Sequence, residues 1–83
     1  MDRLLVKVTC AQLGESYDAF VPCGISVGEA AVLLGRNMEE VTNRRFIASG
    51  SELLCIKESG RLLDRNACFG ACGIANGDSL ILF

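Results

Sequence analysis

The cysteines are the residues with the most chemical potential in this chain, because a thiolate can bind a metal, form a disulfide or act as a nucleophile. There are five of them among 83 residues. Cys68 and Cys72, in CFGAC, form the only close pair, and their C-x3-C spacing differs from the C-x2-C spacing of common zinc modules. The chain has no histidine, so an all-cysteine site needs two further thiolates from Cys10, Cys23 and Cys55. We predict no metal site and interpret the cysteines as small, buried or half-buried apolar side chains, with metal or redox chemistry as the alternative.

Other arrangements that support catalysis are also missing from the sequence. There is no glycine-rich phosphate loop and no Ser or Cys nucleophile beside a base at a familiar spacing. Asp64 and Asp78 lie in turn segments, and Asp78 directly follows Gly77, which predicts that the Asp78 carboxylate bonds the backbone of its own turn. We predict no catalytic residue, no cofactor and no enzyme activity.

Composition and charge argue against several further classes of function. Eight Lys and Arg against ten Asp and Glu give a net charge of −2, and no run of like charge exceeds a pair such as Arg44–Arg45. Phosphate binding depends on clustered Lys and Arg, so we expect no nucleic-acid or anionic-membrane partner. No apolar stretch approaches the ~18 residues of a transmembrane helix, and MDRLLVKVTC is too short and strand-like for a signal peptide. We expect one cytoplasmic domain over residues 1–83, without membrane insertion.

The first half of the chain predicts a hairpin followed by a helix. Apolar and polar residues alternate over residues 4–10 and again over 17–21, with a turn at AQLGES between them. Ser26 and Glu29 have the spacing of a capping box at a helix start. Behind them, apolar residues recur at spacings of four and three: Val27, Ala31, Leu34, Met38 and Val41. Gly35 weakens the middle of this helix by ~1 kcal/mol, so one helix and two short helices both remain open.

The second half predicts strands at residues 53–57, 61–63 and 79–83. RFIASGSELL fits either a loop or a strand, and DRNACFGACGIANGD has turn composition with Phe69 and Ile74 as buried anchors. The order β-β-α-β-β-β describes a mixed sheet of four to five strands covered on one face by a helix. We expect the uncharged strand SLILF to pair parallel with the first strand in the centre of the sheet.

This α+β layout is that of the ubiquitin-like β-grasp fold, and particular segments strengthen the likeness. ESGRLL and GIANGDSLILF resemble the closing half of ubiquitin-like proteins. More closely, they resemble the YukD/EsaB family of bacterial ubiquitin-like proteins associated with type VII secretion, as does YDAFVP before a capped helix. The likeness covers most of the chain and is poor over residues 36–52.

The resemblance implies a non-enzymatic interaction module, a cytosolic accessory component of a type VII secretion system in a Gram-positive bacterium. Its partner would be a protein of the secretion machinery. Ubiquitin and the sulfur carriers act through a flexible tail ending in Gly-Gly, and the sequence shows no such tail after SLILF, which disfavours conjugation and sulfur transfer. The alternative is a sulfur-carrier or conjugation-type ubiquitin-like protein that lacks its tail.

Strand alternation predicts where a partner would bind. If Leu4, Val6, Val8, Leu54, Ile56, Leu80 and Leu82 face the core, the opposite face carries the intervening side chains: Leu5, Lys7, Cys55, Lys57, Ile81 and Phe83. We expect Leu5, Ile81 and Phe83 to be close neighbours in an exposed apolar patch rimmed by Lys7 and Lys57. Clustered exposed apolar groups usually mark contact sites, which predicts partner binding by these five residues. The alternative is that they are ordinary surface apolar residues.

Overall fold

The computed structural model describes residues 3–83, which form a four-stranded mixed sheet with one long helix on one face. The elements are β1 (Arg3–Cys10), β2 (Ser16–Pro22), α1 (Val27–Val41), β3 (Leu54–Ile56) and β4 (Ser79–Leu82), with a 3₁₀ turn at Phe69–Ala71. The strand order across the sheet is β2-β1-β4-β3. β1 pairs antiparallel with β2 and parallel with β4, while β3 pairs antiparallel with β4. This confirms the predicted β-grasp fold and the central parallel pairing of the last strand with the first.

The core lies between the sheet and α1 and is built by the predicted alternation. Val6, Val8, Leu80 and Leu82 are fully buried, and Leu54 is 1% exposed. Complete burial of such a side chain contributes ~1.5–3 kcal/mol, so this inner row is a large part of the stability of a small domain. The predicted anchors in the turn segment are also confirmed, because Phe69 and Ile74 are buried in the same core.

Helix α1 starts at the predicted cap and continues through Gly35 as one helix. The Ser26 Oγ accepts from the Glu29 N–H at 3.1 Å, and the Glu29 Oε1 accepts from the Ser26 N–H at 3.0 Å, which completes the capping box. The predicted apolar stripe is buried from Val27 to Met38. Its last member, Val41, was predicted wrongly: it is 53% exposed, because the buried face continues from Met38 to Thr42 instead.

The chain reverses after α1 through a loop that two carboxylates hold in place. The Glu39 Oε1 accepts from the Ala48 N–H at 2.9 Å. Glu52 is only 4% exposed, and its carboxylate accepts from the N–H and Oγ of Ser49 and from the N–H of Gly50. Burial alone would raise the pKa of Glu52, but these hydrogen bonds outweigh it and lower the pKa below its ordinary value. The stretch RFIASGSELL is therefore mainly a loop, which Glu52 ties together before β3 begins.

The predicted fifth strand at residues 61–63 is reduced to one bridge between Leu62 and Cys55. The N–H of Ile56 donates to the Arg61 carbonyl and the N–H of Leu63 donates to the Leu54 carbonyl, so a short hairpin forms around that bridge. The ladder stops after Leu63 because residues 64–67 turn: the Ala67 N–H donates to the Asp64 carbonyl at 3.1 Å. The sheet therefore has four strands, and β3 is one residue shorter at each end than predicted.

Candidate interaction face of the sheet

One face of the sheet is covered by α1, and the side chains of the other face, here called the outer face, define the candidate site. Strand register arranges this face in rows that cross the strands. One row is charged: Asp18 on β2 lies opposite Lys7 on β1, and Lys7 lies beside Ser79 on β4. The Lys57 N–H donates to the Ser79 carbonyl at 3.0 Å, which brings Lys57 to the far end of the same row. Both lysines are exposed, so the charged row divides the outer face into two parts.

The first part is an apolar cluster on β3 and β4, here called the β3–β4 patch. Cys55 pairs with Ile81 on one side and with Leu62 on the other, which places the three side chains on the same face. Leu53 and Phe83 extend the ladder, since the N–H of Phe83 donates to the Leu53 carbonyl at 3.0 Å and the reverse bond also forms. Leu62 is 54% exposed and Phe83 is 42% exposed, while the other three are half-buried. The patch thus presents contiguous apolar surface with two prominent side chains.

The second part is a smaller apolar pair on β1 and β2, at the other end of the strands. Leu5 lies directly opposite Phe20, which is 56% exposed. The guanidinium carbon of Arg3 lies 4.5 Å from the centroid of the Phe20 ring, a cation–π distance. The backbone of Leu5 is bound to the turn before β4: its N–H donates to the Asn76 Oδ1 at 2.8 Å, and its carbonyl accepts from Gly77 at 2.7 Å.

The structure places all five predicted contact residues on the outer face, but it separates them. Ile81 lies level with Thr9 on β1, so Leu5 is four positions away along the strand, about 13 Å at ~3.3 Å per residue. The prediction that Leu5, Ile81 and Phe83 are close neighbours is therefore wrong. Ile81 and Phe83 belong to the β3–β4 patch, while Leu5 belongs to the pair with Phe20, and Lys7 and Lys57 lie in the row between them. That these residues bind a partner stays a prediction.

Three apolar residues of the outer face were missed by the sequence argument, Leu53, Leu62 and Phe20, and so was the charged residue Asp18. Alternation back from Cys55 could have identified Leu53, and alternation within β2 could have identified Phe20. Leu62 has no such signal, because its place depends on the hairpin that follows β3.

The cysteines are distributed among different environments. Cys10 is fully buried, whereas Cys68 is exposed, which differs from the predicted burial. The Cys68 Sγ donates to the Cys23 carbonyl at 2.9 Å, and the Cys72 Sγ donates to the Cys68 carbonyl at 3.3 Å. Burial raises the pKa of the Cys72 thiol, and the nearby charge of Arg61 only partly opposes this. Among residues 3–83, no three His, Cys, Asp or Glu side chains are grouped so that they could hold a metal ion.

The turn role predicted for Asp78 is confirmed, and Asp64 acts in the same way. The Asp78 Oδ2 accepts from the Ala75 N–H at 2.9 Å, and the Asp64 Oδ1 accepts from the Asn66 N–H at 3.0 Å. Each carboxylate thus closes its own turn. Over the same described residues, no helix is both long enough and apolar enough to cross a bilayer.

Comparison with known proteins supports the fold more than any particular family. No protein-family profile and no curated protein matches this chain. Among solved structures, the EccD5 ubiquitin-like domain from Mycobacterium xenopi is 16% identical with a TM-score of 0.80, covering 100% of this chain and 94% of that one. A chain of the toluene 4-monooxygenase HD complex with the inhibitor 4-bromobenzoate is 15% identical with a TM-score of 0.74, covering 96% and 95%. A chain of the MycP5-free ESX-5 inner membrane complex is 17% identical with a TM-score of 0.72, covering all of this chain and 21% of that one.

Identities of this size carry information about the fold alone. Ubiquitin and other ubiquitin-like domains are also among the matching structures. The chain therefore has a ubiquitin-like β-grasp fold, and its structural neighbours include a ubiquitin-like domain of a type VII secretion system.

Proposed function

We propose that this protein is a non-enzymatic interaction module, a cytoplasmic accessory component of a bacterial type VII secretion system related to the YukD/EsaB family. The observation that carries the proposal is the β3–β4 patch, which exposes apolar side chains on a sheet face with no covering element among residues 3–83. The resemblance of GIANGDSLILF to that family and the likeness to the EccD5 domain support the choice of system.

The patch is suited to binding a protein by contact. Backbone hydrogen bonds hold the segments that carry Leu62 and Phe83, so a partner that covers them has to order only their side chains. The neighbouring Lys7 and Lys57 favour a partner that carries acidic residues beside its apolar contact, because charge at the rim of an interface selects orientation and partner. We propose a protein of the secretion machinery, such as a cytosolic domain of its membrane-anchored ATPase, as that partner.

The proposal can be tested by a pulldown from the native host and by titration with purified cytosolic domains of the secretion machinery. Leu62→Ser and Phe83→Ser each remove an exposed apolar side chain, and we expect each to weaken binding about tenfold or more, as for central interface contacts worth ~2 kcal/mol. Val41→Ser is the matched control, because Val41 is as exposed as Leu62 and lies in the last turn of α1, away from the outer face.

Folded Leu62→Ser and Phe83→Ser variants that still bind the machinery with unchanged affinity would refute the patch as its contact site. A carrier function makes a different prediction: an adenylating enzyme with ATP would convert the protein to an adenylate or thioester, which intact mass spectrometry detects. We expect no such adduct.

A further inference from the structure

The edge of the sheet formed by β2 is built so that half of its backbone groups point away from the protein. On β1, the N–H groups of Leu5 and Lys7 donate toward β4, to Asn76 and Asp78. Hydrogen bonds along an antiparallel strand alternate in direction, so the even-numbered residues of β1 bond to β2. The Cys10 N–H, which donates to the Glu15 carbonyl at 2.8 Å, agrees with this alternation.

The same alternation fixes which groups of β2 remain unpaired by β1. Tyr17, Ala19 and Val21 lie opposite the even-numbered residues of β1 and pair with them. The N–H and carbonyl groups of Asp18 and Phe20 therefore point out of the sheet edge, and no strand of residues 3–83 lies there. A free edge of this kind is a template for another strand.

We propose that β2 pairs antiparallel with β2 of a second copy of this chain, with Asp18 opposite Phe20 of that copy. Outward-pointing groups can pair only with outward-pointing groups, so even-numbered residues must face even-numbered residues. A register that places Asp18 opposite Asp18 brings two carboxylates together. A register that places Phe20 opposite Phe20 sets Asp18 opposite Pro22, which has no N–H to donate.

The register of Asp18 opposite Phe20 keeps the two Asp18 carboxylates apart and sets Pro22 opposite Ser16 at the strand ends, so the central pairs keep all their N–H donors. The two symmetric pairs exchange about four hydrogen bonds in all. Each Asp18 carboxylate also lies beside Phe20 of the second copy, and the ring of that Phe20 contacts Arg3 of its own chain. An Asp18 of one copy and an Arg3 of the other therefore come together on each side of the dimer axis. The dimer would join the two sheets into one and leave the β3–β4 patch free, because β3 is the opposite edge.

Sedimentation equilibrium over a concentration series up to ~1 mM tests the proposal, since a small interface of this kind associates weakly. The weight-average mass should rise toward twice that of one chain. Phe20→Pro removes an N–H that β1 does not use, so the fold is retained, while the dimer loses one hydrogen bond from each copy and should dissociate about tenfold more readily. Leu62→Ser, at the opposite edge, should leave the dimer unchanged. A mass that stays at one chain over the whole series overturns the proposal.

A charge exchange tests the register. Asp18→Lys should weaken the dimer about tenfold or more, by setting like charges beside Arg3 of the second copy. Adding Arg3→Glu should restore most of that loss, because the opposite charges then meet again. Circular dichroism confirms that the variants are folded. If the wild-type protein dimerises and neither Phe20→Pro nor Asp18→Lys weakens the dimer, the dimer contact lies elsewhere on the surface. If Arg3→Glu does not restore the dimer of the Asp18→Lys variant, the proposed register is wrong.

Discussion

Replacing Gly35 with alanine is expected to destabilise the protein, although alanine is the better helix former by ~1 kcal/mol. A Cβ placed on Gly35 would lie 3.1 Å from Cδ and Oε1 of Glu52 and 3.3 Å from its Cγ. Glu52 cannot easily move away, because its buried carboxylate accepts hydrogen bonds from Ser49 and Gly50. Overpacking of this kind costs ~1–3 kcal/mol, which exceeds the gain in helix propensity. The net loss should be about 1 kcal/mol.

Thermal and urea unfolding followed by circular dichroism will measure this effect, since the chain has no tryptophan. A loss of about 1 kcal/mol lowers the Tm of a domain of this size by ~4–8 °C. The control is the same substitution in a Glu52→Ala background, where the Cβ meets no carboxylate and Gly35→Ala should stabilise by up to ~1 kcal/mol. If Gly35→Ala stabilises the wild-type protein, the carboxylate yields to the new methyl group and the packing argument is wrong.

Three further predictions concern the register and two titrating groups. Leu82→Ala should lower the free energy of unfolding by ~2–5 kcal/mol because Leu82 is fully buried, whereas Phe83→Ser should lower it by less than ~1 kcal/mol. If chemical unfolding shows the reverse order, the strand register is shifted by one residue. Because the pKa of Glu52 is lowered in the folded protein, its ionised carboxylate stabilises the fold above the ordinary pKa, and this stabilisation is lost as the pH falls through the folded pKa. Glu52→Gln should therefore make the free energy of unfolding less dependent on pH in the acidic range. An unchanged dependence would contradict this. Burial raises the pKa of Tyr17 to about 12, and its hydrogen bond with Asn37 offsets only part of this effect. The free energy of unfolding should therefore fall as the pH rises above ~10 and through the folded pKa. Ultraviolet titration of this single tyrosine measures the folded pKa, and a midpoint near 10 in the native protein would contradict the prediction.

The inner side of the fold could be predicted from sequence because its determinants are local. Alternation alone identifies Val6 and Leu80 as core residues, and the spacing of Ser26 and Glu29 identifies the start of α1. The same local signals fail where an element ends. Val41 continues the apolar period of α1, but the buried face passes from Met38 to Thr42 instead, and the tertiary packing at the end of the helix makes that choice.

The arrangement of the candidate site could be predicted only in part, because it depends on register between distant segments. Alternation assigns Leu5 and Ile81 correctly to one face. Their separation follows from the register that sets Thr9 beside Ile81. The parallel pairing of these strands was predicted, but alternation does not specify which residues lie level with each other. Buried Glu52 was missed for a similar reason: its partners are in its own loop, but the helix that buries it approaches at Gly35, far away in sequence.

The charged row separates the two apolar parts of the outer face and so limits where a partner can bind. A continuous apolar face would favour indiscriminate association, whereas Asp18, Lys7 and Lys57 interrupt it with charges that are costly to bury unpaired. A partner on the β3–β4 patch is therefore directed toward β3, and a strand that pairs with β2 is directed toward the opposite edge. Because the two proposed contacts use opposite edges of one sheet and share no side chain, occupation of one leaves the other accessible. A dimer through β2 would then present two β3–β4 patches, and a partner with two binding sites would engage both with an affinity that neither patch provides alone.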